Sequence, residues 1–210
     1  MKHFERELVR GFLHEPAHPN GNGLVITHGA GANCDTVLLR AVAEAFAQSG
    51  VTTLRCDLPF RQKRPKGPPF PAQAVVDREG LRRAIEAVRE IAGGRIFLGG
   101  HSYGGRQATM LASEEPGIAD GLLLLSYPLH APGKPQAPRT GHFGSIQIPA
   151  LFVHGTRDPF GTIEEMRAAL ALIPARTDLA IVEGAGHSLD AKVAAMCVQK
   201  AQFNHVFRDR

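Results

Sequence analysis

Six short apolar runs recur along the chain with helix-like stretches between most of them, and this alternation leaves few folds open. The runs are "LVITHG" (Leu24 to Gly29), "VTTLRCDLP" (Val51 to Pro59), "RIFLGG" (Arg95 to Gly100), "GLLLLSYP" (Gly121 to Pro128), "ALFVHGTRD" (Ala150 to Asp158) and "TDLAIVEGAGH" (Thr177 to His187). Short runs of this kind suit strands buried on both faces, as in parallel sheets.

The intervening stretches carry helical spacing. Asp35 can cap a helix running to about Ser49, with Val37, Leu38, Val42 and Phe46 on one face. A second helix spans about Ala74 to Ala92 and turns Val75, Leu81, Ile85, Val88 and Ile91 to the core. Others are expected from Gly104 to about Glu115, from Thr162 or its neighbours to about Ile173, and from Asp190 to about Phe207. The first 15 residues add at most one edge strand. Repeated βα units predict an α/β fold: a doubly wound, mostly parallel sheet of about 6–7 strands with helices on both faces. No internal repeat or long linker divides the chain, so residues 1–210 read as a single domain.

In open sheets of this kind, sites form beyond the carboxyl ends of the strands. The residues just after each run therefore hold the candidates. "RIFL" leads into Gly100-His101-Ser102-Tyr103-Gly104, a G-x-S-x-G pattern between a strand and a helix. Glycines two before and two after the serine let the flanking elements approach. The corner then projects the hydroxyl above the sheet, at a helix N-terminus that favours developing negative charge. Ser102 has two readings there: it caps the helix, or it is a nucleophile. A nucleophilic serine needs a base, and the base an orienting acid. Among ten histidines, His187 follows the last apolar run in a loop relieved by Gly184 and Gly186. Asp158 ends the run before it. Three strands thus end in Ser102, Asp158 and His187, in that chain order.

This order and placement resemble the α/β-hydrolase superfamily over nearly the whole chain, from about Leu24 to Phe207. The resemblance implies Ser102 as nucleophile, Asp158 as acid and His187 as base. It also implies an oxyanion hole in "HGAGAN" (His28 to Asn33), with the backbone N–H groups of Ala30 and Tyr103 as donors and Gly31 as the neighbouring candidate. Larger members insert a helical lid after the strand that here reads "GLLLLSYP". Only a Pro/Gly-rich stretch without helical period follows it here, so no cap domain is expected. "HGAGAN", "LPF" with its basic loop and "GGHSYGGRQA" are together similar to a group of short predicted hydrolases. That group is related to a regulatory subunit of a chromatin acetylation complex. Lidless members, among them dienelactone-hydrolase-like enzymes, act on esters or thioesters. The dienelactone enzymes carry a cysteine where Ser102 stands. The implied activity is hydrolysis of a small-molecule ester or thioester through an acyl-enzyme, with no cofactor. The alternatives are a hydrolase fold used as an interaction module, or a small peptidase.

The other histidines invite structural readings. His28 buttresses the oxyanion turn, His101 supports the serine corner, and His154 sits in the core or behind the acid loop. His130 and His142 line a pocket or face solvent. No metal-ligand spacing occurs. Cys34, Cys56 and Cys197 form no CxxC pair and read as small buried thiols. The net charge of +4 is mild. Its one concentrated basic run, "RQKRPK" (Arg61 to Lys66), is a solvated loop or a patch that steers anionic substrates. A chain with no Trp and two Tyr offers no base-stacking platform for nucleic acid. No apolar run approaches the roughly 20 residues of a membrane span, and the N-terminus lacks a signal-peptide core, so a cytoplasmic protein is expected.

Overall fold

The computed structural model describes residues 1–203. Eight strands form one sheet: β1 (Lys2–Arg6), β2 (Val9–His14), β3 (Gly23–Thr27), β4 (Thr52–Asp57), β5 (Ile96–His101), β6 (Gly121–Leu125), β7 (Ala150–Gly155) and β8 (Thr177–Val182). Their order is β1-β2-β4-β3-β5-β6-β7-β8. Strands β3 to β8 pair in parallel, while β1 and β2 add an antiparallel edge. The sheet is thus one strand larger than expected. The N-terminal segment doubles back through a turn at Leu8, whose φ is 60°, and forms a hairpin. "KHFER" is almost wholly exposed and carries no apolar signal of a strand.

Among the described residues, six helices flank the sheet: α1 (Val37–Gln48), α2 (Pro59–Lys63), α3 (Ala74–Ala92), α4 (Tyr103–Glu114), α5 (Ile163–Leu170) and α6 (Val193–Phe203). Side chains alternate across the sheet and divide the core in two. Leu122 and Leu124 of β6 face α3, α4 and α5, which contribute residues such as Ile85, Leu111 and Met166. Leu123 and Leu125 face α1 and α6, through residues such as Leu39, Phe46 and Cys197. This is the helices-on-both-faces arrangement of doubly wound sheets.

Several local expectations need correction. The cap of α1 is Thr36, whose hydroxyl accepts from the Leu39 N–H at 3.3 Å. Asp35 instead takes the guanidinium of buried Arg55 at 2.7 Å. Val37 is exposed in the first turn of α1. In α3, Leu81, Ile85 and Val88 reach the core, but Val75 and Ile91, near the helix ends, are exposed. Pro59, read as the end of a strand run, and residues 60–63, read as loop, form the short helix α2 with Pro59 in its first turn. The terminal helix begins at Val193, and the expected continuation over residues 204–207 lies outside the described residues. Between β6 and β7 the chain is irregular apart from one 3-10 turn, Phe143–Ser145, so no helical lid is inserted there. Among the described residues, no helix is long and apolar enough to cross a membrane.

Candidate active site

The corner between β5 and α4 shows why its sequence is glycine-rich. A Cβ at Gly100 would lie 2.6 Å from the Gly104 carbonyl carbon, and one at Gly104 would lie 2.6 Å from the His28 carbonyl oxygen. Ser102 sits between them at φ 52°, ψ −115°, a conformation that costs an L-residue of order 1–3 kcal/mol. Its amide donates to the Leu125 carbonyl at 2.9 Å, which ties the corner to the adjacent strand end. Its hydroxyl makes no capping bond to α4. Instead Oγ lies 2.8 Å from His187 Nε2.

His187 follows β8 on a loop and is tied down on several sides. Its Nδ1 lies 2.9 and 3.0 Å from the two carboxylate oxygens of Asp158. An ionised carboxylate only accepts, so Nδ1 carries the proton and Nε2 presents a lone pair to Ser102. The ring of Phe160 stacks on the imidazole with centroids 4.1 Å apart. The backbone carbonyl of His187 accepts from His101 Nε2 at 2.8 Å.

The Asp158 side chain is fully buried. Burial alone would raise its pKa. The bond from His187, the Phe160 N–H at 2.9 Å and the charges of His187 and His154 outweigh it, and hold the carboxyl below the usual range. The structure thus brings Ser102, His187 and Asp158 into one hydrogen-bonded chain at the carboxyl edge of the sheet.

The loop from Gly29 to Asn33 runs alongside. A Cβ on Gly29 would lie 3.3 Å from the Ser102 Cβ, so this turn packs directly on the serine. His28 anchors its start. Its Nδ1 donates to the Gly29 carbonyl at 2.8 Å, and its Nε2 accepts the Leu58 N–H at 3.1 Å. The second bond needs the neutral ring, and burial lowers the pKa of His28 to about 4. Asp57 Oδ1 accepts the Cys34 N–H at 2.7 Å and holds the far end. Among the described residues, neither the Ala30 nor the Tyr103 amide N–H has an intramolecular acceptor. The Tyr103 side chain turns away from the serine, and its hydroxyl donates to Asp77 Oδ2 at 2.8 Å.

Two contributors escape the sequence reading. Arg61, assigned to a solvated or substrate-steering run, is only 4% exposed and spends its guanidinium on backbone carbonyls, including those of Ala30 and Ala32. Lys63 and Lys66 of the same run do face solvent. Asp77 carries Tyr103 and also takes the Phe60 N–H at 3.0 Å. Arg61 has one sequence signal, its place after a strand end, whereas Asp77 lies within α3 and has none.

His154, His142 and His130 make structural contacts. His154 Nε2 donates to the Gly161 carbonyl at 2.8 Å, in the turn after Asp158. His142 contacts Thr109, and His130 is buried with Nε2 3.2 Å from Glu165. All three thiols are buried, and burial pushes those of Cys34 and Cys197 up to about 12. Among the described residues, no cluster of three or more His, Cys, Asp or Glu could hold a metal ion.

Residues 20–209 match the alpha/beta hydrolase domain family, and the chain belongs to it. Solved structures share the fold over nearly the full length. Est1E from Butyrivibrio proteoclasticus, with ferulic acid bound, superposes at a TM-score of 0.80 with 16% identity, covering 99% of this chain and 100% of that one. TT1662 from Thermus thermophilus superposes at 0.76 with 23% identity, covering 100% and 99%. XC6422 from Xanthomonas campestris, described as an α/β serine hydrolase without lid, superposes at 0.70 with 16% identity, covering 91% and 88%. The fold is that of the α/β hydrolases, with no helical lid between β6 and β7.

Proposed function

We propose that the protein is a serine hydrolase that cleaves a carboxylic ester or thioester of a small molecule through an acyl-enzyme. The observation that carries this is the Ser102 hydroxyl bonded at 2.8 Å to an imidazole whose other nitrogen is held by a buried carboxylate. His187 Nε2 takes the hydroxyl proton as Oγ attacks the substrate carbonyl. Asp158 keeps the imidazole in the competent tautomer and stabilises the cation that forms. The N–H groups of Ala30 and Tyr103 receive the developing oxyanion, each worth about 3 kcal/mol in sites of this type. His187 then returns its proton to the leaving group, activates a water, and the acid is released. The chemistry draws only on side chains and backbone. The lidless surround favours a substrate that needs no enclosure. An esterase-like neighbour with an aromatic acid bound supports the ester class.

The test is covalent labelling with a fluorophosphonate, the adduct located by mass spectrometry. Labelling at Ser102, lost in Ser102→Ala, supports the proposal. No labelling, together with no turnover across a graded set of p-nitrophenyl and CoA esters, removes it and leaves the interaction-module reading.

A further inference from the structure

Arg61 occupies a position that a solvated loop residue would not. It sits on α2, just past β4, and is almost wholly buried. Its Nε donates to the Ala32 carbonyl at 2.7 Å. One Nη2 bond reaches the Ala30 carbonyl at 2.8 Å, and another the Gly67 carbonyl at 3.0 Å. Nη1 reaches the Arg64 carbonyl at 3.1 Å. Among the described residues, no carboxylate pairs with it. The Phe60 ring lies 4.9 Å from the guanidinium, and its hydrogen bonds all go to carbonyls, so its charge is directed at those peptides.

The peptide plane turns these bonds into a constraint. In a trans peptide the carbonyl of one residue and the N–H of the next point in opposite directions. The Gly29–Ala30 peptide is fixed by its carbonyl, which accepts from His28 Nδ1 and from the Ala32 N–H at 3.1 Å. Its N–H, that of Ala30, therefore faces the other way and has no internal partner. The Ala30–Gly31 peptide is fixed by Arg61 through the Ala30 carbonyl. Ala30 is thus clamped on both sides, one residue from the glycine that packs on Ser102. Gly31, by contrast, has no heavy atom within 4 Å of where a Cβ would stand. Within the loop only the Ala32 N–H bond to the Gly29 carbonyl spans the second peptide, and a turn with glycine at its third position can close with that peptide flipped.

We propose that Arg61 is a positioning residue of the oxyanion hole. By holding the Ala30 and Ala32 carbonyls, its guanidinium fixes the peptide that follows the Ala30 N–H, and so keeps the turn in the form that leaves that N–H free beside Ser102. This inference rests on the hydrolase reading above. It also gives the "RQKRPK" run a role unlike substrate steering, since its first cation is spent inside the protein. Donors aligned in advance act on the transition state and not on the ground state. Loss of Arg61 should therefore appear in kcat.

The experiment compares wild type, Arg61→Lys, Arg61→Ala and Gln62→Ala on one p-nitrophenyl ester, with thermal melts of each. Gln62 is the control: it lies on the same helix and bonds the Leu8 and Asp57 carbonyls, not the Gly29–Asn33 turn. Arg61→Ala should lose about 100-fold in kcat with KM within about twofold of wild type. Arg61→Lys keeps the charge without the fork, melts close to wild type, and should lose about 10-fold. Millimolar ethylguanidinium, but not equal sodium chloride, should restore part of the kcat of Arg61→Ala. Gln62→Ala should keep wild-type kcat.

Wild-type kcat in either Arg61 variant overturns the inference, as does a loss confined to KM or an equal loss in Gln62→Ala. If Arg61→Ala does not fold, Arg61→Lys decides alone. A wild type that turns over no ester and resists fluorophosphonate instead overturns the hydrolase reading, and this inference with it.

Discussion

His101 Nε2 donates to the backbone carbonyl of His187 at 2.8 Å, so the residue before the proposed nucleophile holds the loop of the proposed base. The carbonyl can only accept, which places the His101 proton on Nε2. Burial lowers the pKa of His101, in keeping with a neutral ring in this role. The bond links the β5 corner to the loop after β8, two segments that share no strand pairing. His101→Ala should free the His187 loop and lower kcat by about 10- to 100-fold, with KM little changed. Steady-state kinetics with a saturable ester checks this, and unchanged kcat would show that the loop is fixed by Phe160 and Asp158 alone.

Ser102 holds its position at a cost. Its φ of 52° and ψ of −115° lie where glycine is far more at ease. Ser102→Gly should therefore abolish labelling and turnover while raising stability by about 1 kcal/mol, the strain released less the flexibility gained. Urea denaturation midpoints of the two proteins make the comparison. Lower stability in Ser102→Gly would mean that the hydroxyl's bond to His187 outweighs the strain. The reverse change at the flank has the opposite sign. Gly104→Ala puts a methyl 2.6 Å from the His28 carbonyl oxygen, and it should cost upward of about 2 kcal/mol.

Most of this site can be read from the chain before any coordinates, and the exceptions share a cause. Ser102, Asp158 and His187 stand out because each follows an apolar run, and a parallel sheet brings such positions to one edge. Glycine spacing marks the β5 corner for the same local reason. Arg61 also follows a strand end, but its surroundings mask the signal. An arginine in a proline-rich basic run looks solvated, and its burial depends on four carbonyls that only the folded chain gathers. The β1–β2 hairpin was hidden similarly: its outer strand is polar and exposed, and pairing rather than burial makes it a strand. Asp35 looked like a cap because acidic residues serve there, yet Arg55 claims it from a distant strand. Tertiary partners, not local chemistry, decide each of these.

In the proposed mechanism Asp158 orients without reacting, which predicts a particular loss. Asp158→Asn keeps the volume but offers Nδ1 of His187 an amide that can donate. The imidazole can then settle in the other tautomer, with its proton on Nε2 facing Ser102. A fall in kcat of about 10⁴-fold is expected, with the fold retained. Circular dichroism establishes the fold and burst kinetics the loss. A variant that kept a tenth of the activity would sink the assigned role of Asp158.

Acid should loosen the turn beside Ser102 before it unfolds the sheet. Burial, more than any other influence, lowers the pKa of His28 from 6.5 to about 4. The unfolded chain therefore binds a proton that the folded chain refuses between these values, and stability must fall as pH drops through that window. The His28 contribution is full above about pH 6.5 and is lost progressively toward pH 4, to a total of about 3 kcal/mol at 1.36 kcal/mol per unit. His14 and His142, also lowered to about 4 with burial as the leading cause, act in the same direction. Asp158 works over a lower window: its depressed pKa adds stability above the unfolded value, which is lost as pH falls through the folded one. Denaturation midpoints measured from pH 7 to pH 4 should fall steadily. His28→Asn, which cannot take up the proton, should be less stable at pH 7 but show a flatter profile. Equal slopes in the two proteins would remove His28 from the account and place the acid sensitivity in His14 and His142.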